Sequence, residues 1–371
     1  MKKKIYLISS RLLFALSFLM FASCSDDDNQ AENNQPQVTK GRFDNTPFVW
    51  DEIYAQRAAD DIYIGDLNVS LVNGNGSRTR SSRRGDSNTS SSDNLFIISP
   101  VEVYVGAAYP KSSFPHKFDK EISKERNPID VVFDFKDPFI DKITRETGSV
   151  GYKMSLKSAI NSNEYQKQLA ANKANPEFYI TQYCSPSDLE KAFSGNTSLG
   201  SAFSAKVSGN SKNRNIRSRT LAKIVSTSFS VYMDTPPASK GFFKDTAINK
   251  KDKFSDADLP VYVRSLTYGK VVYVAIESEY SYSEVKQALG AAIKYKFESA
   301  NMNQDQQVAK IFSKSSTTIF AISDNSSQSF FMNRLTDLSS FFIANNATTY
   351  GYPIYLQGRY VYDNSSYFSG K

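Results

Sequence analysis

Few side chains in this chain could do covalent or proton-transfer chemistry. His116 is the only histidine, and its neighbours Pro115 and Lys117 suggest a surface loop, so a Ser-His-Asp or Cys-His apparatus has nothing to rest on. One histidine and two cysteines, Cys24 and Cys184, give no ligand cluster for a metal. Glu277 and Glu279 are two residues apart on one face of a strand, a spacing that could serve a glycosidase in principle. A solvated strand face is the better account of them. No glycine-rich phosphate loop follows a strand signal. The expectation is a non-enzymatic protein with no cofactor and no metal.

Cys24 is the cysteine with a definite chemistry. Lys2-Lys3-Lys4 followed by the apolar run from Leu12 to Phe21 reads as a secretory signal, and Phe21-Ala22-Ser23-Cys24 as a lipoprotein cleavage site. Cleavage there puts Cys24 at the mature N-terminus for lipidation. Ser25-Asp26-Asp27-Asp28 resembles the acidic tag of surface-exposed lipoproteins in Bacteroidota-type bacteria, and Gln30 to Gln37 reads as a flexible tether. The acyl chains would anchor the protein to the bacterial outer membrane at the cell surface without spanning it. With Cys24 committed to lipid, Cys184 is expected to stand alone, without an intramolecular disulfide.

Removing residues 1–23 takes away Lys2, Lys3, Lys4 and Arg11, which lowers the net charge from +7 to +3. That balance and the absence of any nucleic-acid motif exclude a DNA or RNA partner. Between Asn73 and Asp93 the chain is rich in Gly, Ser and Arg, with Arg78, Arg80, Arg83 and Arg84 close together. Such low complexity predicts an exposed loop, and its arginines make it a candidate protease-sensitive or activation loop.

The elements that dominate the chain are two segments that satisfy the helix and strand periods together. In the first, Leu189, Phe193, Leu199, Phe203 and Val207 all sit at odd positions, with 189/193 and 199/203/207 also at helical spacing. In the second, Val285, Ala288, Leu289, Ala292 and Ile293 form a helical face, whereas Val285, Leu289, Ala291, Ile293, Tyr295 and Phe297 share one face of a strand. An amphipathic core helix explains either segment. The alternation also fits a transmembrane barrel strand, which needs only about 9–11 residues. Each segment abuts a long β-branched and aromatic run, Lys223–Asp234 in one case and Val261–Ile276 in the other.

This arrangement resembles the thiol-activated, cholesterol-dependent cytolysins, in which a strand-turn-strand precedes a helical bundle that refolds into a membrane hairpin. The matching residues are Val263 to Tyr273 followed by Ser283–Leu289, and others follow in the family's order. They are Val103-Tyr104-Val105-Gly106-Ala107, Asn127–Asp134, Tyr183–Leu189, and Tyr352–Leu356 with Tyr360–Asp363. The likeness covers roughly 96–363. It departs where Ile322-Ser323-Asp324 replaces paired glycines, and the Trp-rich sterol loop has no counterpart, the single tryptophan being Trp50.

What the resemblance implies is an α+β protein, with an elongated, bent and twisted antiparallel sheet flanked by two convertible helix clusters and no C-terminal β-sandwich. Its organisation would be a signal peptide over 1–23, a tether over 24–50, and a linking sheet from 60–103 and 359–371. A first mixed domain would comprise 104–179, 234–261 and 339–358, and a central-sheet domain 180–233 and 262–338. Its function would be to oligomerise and insert β-hairpins into a lipid membrane, alone in rings or with a longer relative as partner. The lipid-facing residues would be the two odd-numbered sets named above. A surface adhesion or binding lipoprotein on the same scaffold is the alternative.

Overall fold

The computed structural model describes residues 50–54, 57–67, 69–70, 97–98, 102–171, 176–193, 196–210, 215–237, 239–298, 306–322, 330–332, 341–342 and 349–368. Short strands come first: β1 (Glu52–Tyr54), β2 (Ile62–Tyr63), β3 (Val69–Ser70), β4 (Ile97–Ile98) and β5 (Ala108–Pro110). A hairpin, β6 (Ile129–Phe133) and β7 (Phe139–Ile143), leads to helices α1 (Val150–Ile160) and α2 (Asn163–Ala171). Then come β8 (Pro176–Gln182), α3 (Pro186–Lys191), α4 (Thr197–Asn210) and β9 (Ser218–Met233). The last part holds β10 (Pro260–Ser278), α5 (Tyr282–Glu298), α6 (Gln306–Ser313), β11 (Ser315–Ile322), β12 (Phe330–Met332), β13 (Tyr352–Tyr360) and β14 (Ser366–Tyr367).

This is an α+β fold built on one large antiparallel sheet that does not close, in the order β1-β8-β9-β10-β11-β12. Its axis is β10, 19 residues long, which at about 3.3 Å per residue reaches about 60 Å. β9 follows β10 from Ser265↔Tyr232 to Ser278↔Ser218. On the opposite edge β13 pairs with the first half of β10 and β11 with the second. The expected turn inside Val263–Tyr273 does not form. β10 runs through as one strand, and register shifts mark the place, at Tyr268/Gly269 against β9 and at Val263/Ser265 and Thr267/Tyr268 against β13. Gly269 is required there, because a Cβ would fall 2.3 Å from the Ser226 carbonyl oxygen and Gly351 presses on it from the other side.

The central strands are buried on both faces, which is why their sequence is almost continuously apolar. Leu221, Val225, Val271, Tyr273, Ala275, Phe320 and Ile322 face one core, and Ala222, Ile224, Val272, Val274, Ile276, Ile319 and Ala321 face another. The alternation is the strand period, and each core is closed by its own helices. A third core lies at the far end of β10, where Tyr109, Phe114, Phe133, Phe229 and Tyr262 gather under α1 and α2.

Candidate functional site

The four strands β8, β9, β10 and β11 all end at one edge of the sheet. Gln182 pairs with Thr220, Ser218 with Ser278, and Ser278 with Ser315. Both helical insertions, α3–α4 and α5–α6, therefore leave the sheet at the same end and fold back onto opposite faces. About 35 residues separate β8 from β9 and a similar number separate β10 from β11, enough for two spanning arms of about 9–11 residues and a turn.

Local chemistry makes both insertions helical in this state. Asp188 accepts the backbone N–H groups of Cys184 and Ser185 at 2.8 and 2.9 Å, closing the start of α3. Asn196 caps α4 through the Leu199 N–H at 3.1 Å. At α5, Ser281 and Glu284 form a reciprocal cap, and those hydrogen bonds from Ser281 hold the Glu284 carboxyl below its ordinary range. Gly200 lets α4 approach α3, since a Cβ would sit 2.8 Å from the Glu190 backbone.

The predicted residues fall as follows. Leu189, Phe193, Leu199, Phe203 and Val207 come together beneath α3 and α4, packed on Tyr273 and Phe320. Val285, Leu289 and Ile293 are buried on the opposite face, and Ala291 is half-buried beside them. Tyr295 and Phe297 lie on α5, with side chains outside the described residues. Cys24 and the Arg78, Arg80, Arg83 and Arg84 loop also lie outside the described residues.

Two further expectations need correction. Cys184 is disulfide-bonded, not a solitary thiol. Glu277 is buried and not part of a solvated face, because it accepts from Arg219 at 3.1 Å and Ser278 ends the strand before Glu279, which pairs with Lys314 instead. His116 is exposed. Among the described residues there is no group of three or more His, Cys, Asp or Glu that could hold a metal, and no helix long and apolar enough to cross a membrane.

Sequence reasoning missed a strap. Residues 50–54 and 57–67 lie across the α3–α4 side of the sheet: β1 pairs with β8 along its edge from Glu52↔Ile180 to Tyr54↔Phe178, and β2 pairs with β13. Lys223, in the middle of β9, is buried under three rings, with its Nζ 4.0 Å from the Tyr63 centroid, 4.5 Å from Tyr179 and 5.3 Å from Trp50. Asp66, also buried, accepts the hydroxyls of Tyr273 at 2.7 Å and Tyr63 at 2.9 Å. Its backbone oxygen takes the Asn196 amide at 3.0 Å, so the strap holds the very residue that caps α4. Burial pushes the Asp66 carboxyl up against the pull of Lys223 and the two tyrosines, and pushes Lys223 down against the pull of Asp66 and Glu177. The available signal was Lys223 itself, one charge inside Leu221-Ala222-Lys223-Ile224-Val225.

The sequence model of the thiol-activated cytolysins matches residues 110–367. Among solved structures the chain is similar to suilysin from Streptococcus suis, with 17% identity, a TM-score of 0.53, and coverage of 72% of this chain and 59% of that one. Listeriolysin O gives 19%, 0.52, 71% and 56%, and pneumolysin 17%, 0.50, 71% and 57%, in the same order. The chain thus spans less than two thirds of the length of these relatives, and the likeness is one of fold. No curated protein matches.

Proposed function

The chain belongs to the thiol-activated cytolysin family, and on that premise we propose that it forms pores by converting α3–α4 and α5–α6 into two β-hairpins that extend the central sheet into a membrane. The observation that carries this reading is that all four strand ends lie at one edge of the sheet with a helical insertion between each pair. Unwinding would lengthen four adjacent antiparallel strands in one direction, with no change in their order. A lone hairpin in lipid leaves edge N–H and C=O groups unpaired, so the step requires several copies that close a barrel together. The odd-numbered residues now packed on the sheet, such as Phe203 and Ile293, would then meet lipid. A longer relative is a proposed partner for assembly, and Cys24 a proposed lipid anchor.

The test is leakage of dye-loaded vesicles together with a scan of polarity-sensitive probes. Probes at 289, 291, 293 and 295 should report lipid in active assemblies, and probes at 290, 292, 294 and 296 should report water. A period of three to four residues, or no membrane exposure, overturns the hairpin mechanism and favours adhesion on the same scaffold. A charge at mid-bilayer costs about 2–4 kcal/mol in each subunit, so Ile293→Lys should abolish leakage, with folding checked separately because the site is buried.

Anchoring has its own test. The chain has two cysteines, so an intrachain disulfide at Cys184 would occupy the sulfur that acylation uses. Fatty-acid labelling that disappears in Cys24→Ser supports the anchor; unchanged labelling, or no labelling of the wild type, rejects it.

A further inference from the structure

Three arginines from three separate elements line one cavity of about 320 Å³ over the polar face of β9 and β10: Arg57 from the strap, Arg264 from β10 and Arg359 from β13. The volume is about ten times the share of one water in the liquid. Ser230, Thr267 and Gln357 add hydroxyl and amide groups to its wall.

The arginines are not equivalent. Arg57 is paired with Glu177 and lies over the Tyr355 ring at 3.9 Å, and Arg359 donates to the Asn364 carbonyl oxygen at 3.0 Å. Asp61, also on the wall, lies 3.7 Å from the Arg57 guanidinium and accepts the Gln357 amide at 2.9 Å, and Asp60 lies 3.8 Å from that of Arg359 and accepts from Gln357 and Ser366 at 3.2 and 3.1 Å. Arg264 is left over. Among the described residues it has no ion pair and donates no side-chain hydrogen bond, and its one contact of this kind is the Tyr232 ring at 5.4 Å. The Nε–H groups of all three arginines are buried without an acceptor.

Backbone geometry puts Arg264 there. Opposite β13 the register steps from Val263↔Gly358 to Ser265↔Gln357, so Arg264 is the extra residue of a β-bulge. Bulges re-aim a side chain that regular pleating would place elsewhere, and they recur beside binding sites. Burial, with the nearby charge of Arg359, disfavours the cationic form of Arg264, and Tyr262, Asp234 and Tyr232 offset this only in part, so the charge is held there at a cost.

We propose that this cavity is a binding site for a phosphate monoester, with Arg264 as the principal ligand and Arg57 and Arg359 flanking it. A tetrahedral oxyanion offers acceptors in three directions, which matches guanidinium groups arriving from three elements better than a planar carboxylate does. The excess volume leaves room for the polar body carrying the phosphate, either a soluble phosphorylated polyol or a lipid headgroup. Because Arg57 belongs to the strap and the other two belong to the sheet, occupancy would tie the strap down.

Titration of the full chain with glycerol phosphate, followed by calorimetry and thermal melting at constant ionic strength, tests the site. Expected is one saturable site per chain, a higher melting temperature, and at least a tenfold weaker affinity in Arg264→Gln. Chloride at the same ionic strength should leave the melting temperature where it is. Equal binding by wild type and Arg264→Gln, or no saturable binding, overturns the proposal. Circular dichroism and the ligand-free melting temperature of Arg264→Gln establish that it folds, and Arg359→Gln provides an independent second variant. Co-flotation with vesicles containing phosphatidic acid, lost in Arg264→Gln, identifies a headgroup as the source; binding of glycerol phosphate without flotation identifies a soluble ester.

Discussion

The α3–α4 and α5–α6 pairs occupy equivalent places on the two faces of one sheet, but different forces hold them. Beneath α5 the contact is hydrocarbon on hydrocarbon, with Val285, Leu289 and Ile293 against Ile224, Val272, Val274, Ile276 and Ile319. Beneath α3–α4 the aromatic core of Phe193, Phe203 and Tyr273 is joined by Asp66 and Lys223, and the strap reaches over to the cap of α4. Apolar packing is non-directional and tolerates sliding, whereas a buried charge network is nearly all or nothing. The α3–α4 side should therefore open as a unit with the strap, and the α5–α6 side gradually and independently of it.

The largest test of that contrast is Asp66→Ala. The substitution leaves the Tyr63 and Tyr273 hydroxyls without their acceptor and removes one of the two carboxylates that act on buried Lys223, a loss of about 3 kcal/mol in a chemical denaturation series. Hydrogen exchange should then show 183–217 opening well before 279–314, and simultaneous opening would show that the two faces are one unit. Next is Gly200→Val, which forces side-chain carbons into the Glu190 backbone and should cost about 1–3 kcal/mol, again confined to the α3–α4 side.

Asn196→Ala removes both the α4 cap and the bond to Asp66 and should cost about 1–2 kcal/mol. The pH response distinguishes the faces in another way. The folded pKa of Asp66 lies above its ordinary 3.8, so the stability it contributes in acid is complete below that value and is lost as pH rises through the folded pKa. Thermal melts of wild type against Asp66→Asn should show a gap that moves against the wild type over this window and is flat above it. A gap independent of pH would mean that Asp66 titrates normally. The smallest effect has the opposite sign: Gly290→Ala, on a surface of α5 with open space around it, should stabilise by about 0.5–1 kcal/mol and slow any helix-to-hairpin conversion. If it destabilises, α5 is packed more closely there than the described contacts imply.

Periodicity and propensity were enough to read the long strands around Lys223–Asp234 and Val261–Ile276, the segments before and after them that fit a helix, and the apolar residues those helices bury; the α+β class came from the family resemblance. These properties follow from near neighbours in the chain: the 3.6 and 2.0 periods, β-branched runs, and caps such as Ser281 with Glu284. Only the tertiary structure decided that all four strand ends share one edge, that the two helical pairs take opposite faces, and that β10 crosses Gly269 without turning. It also decided that Asp66 meets Tyr63 and Tyr273, that Lys223 lies under the Tyr63 ring, and that Arg57, Arg264 and Arg359 line one cavity. Those groups are brought together by pairing between segments hundreds of residues apart, as in β2 against β13. Such contacts leave no period in the sequence, because the energy of a buried charge or a bulged arginine depends on what the rest of the chain places around it.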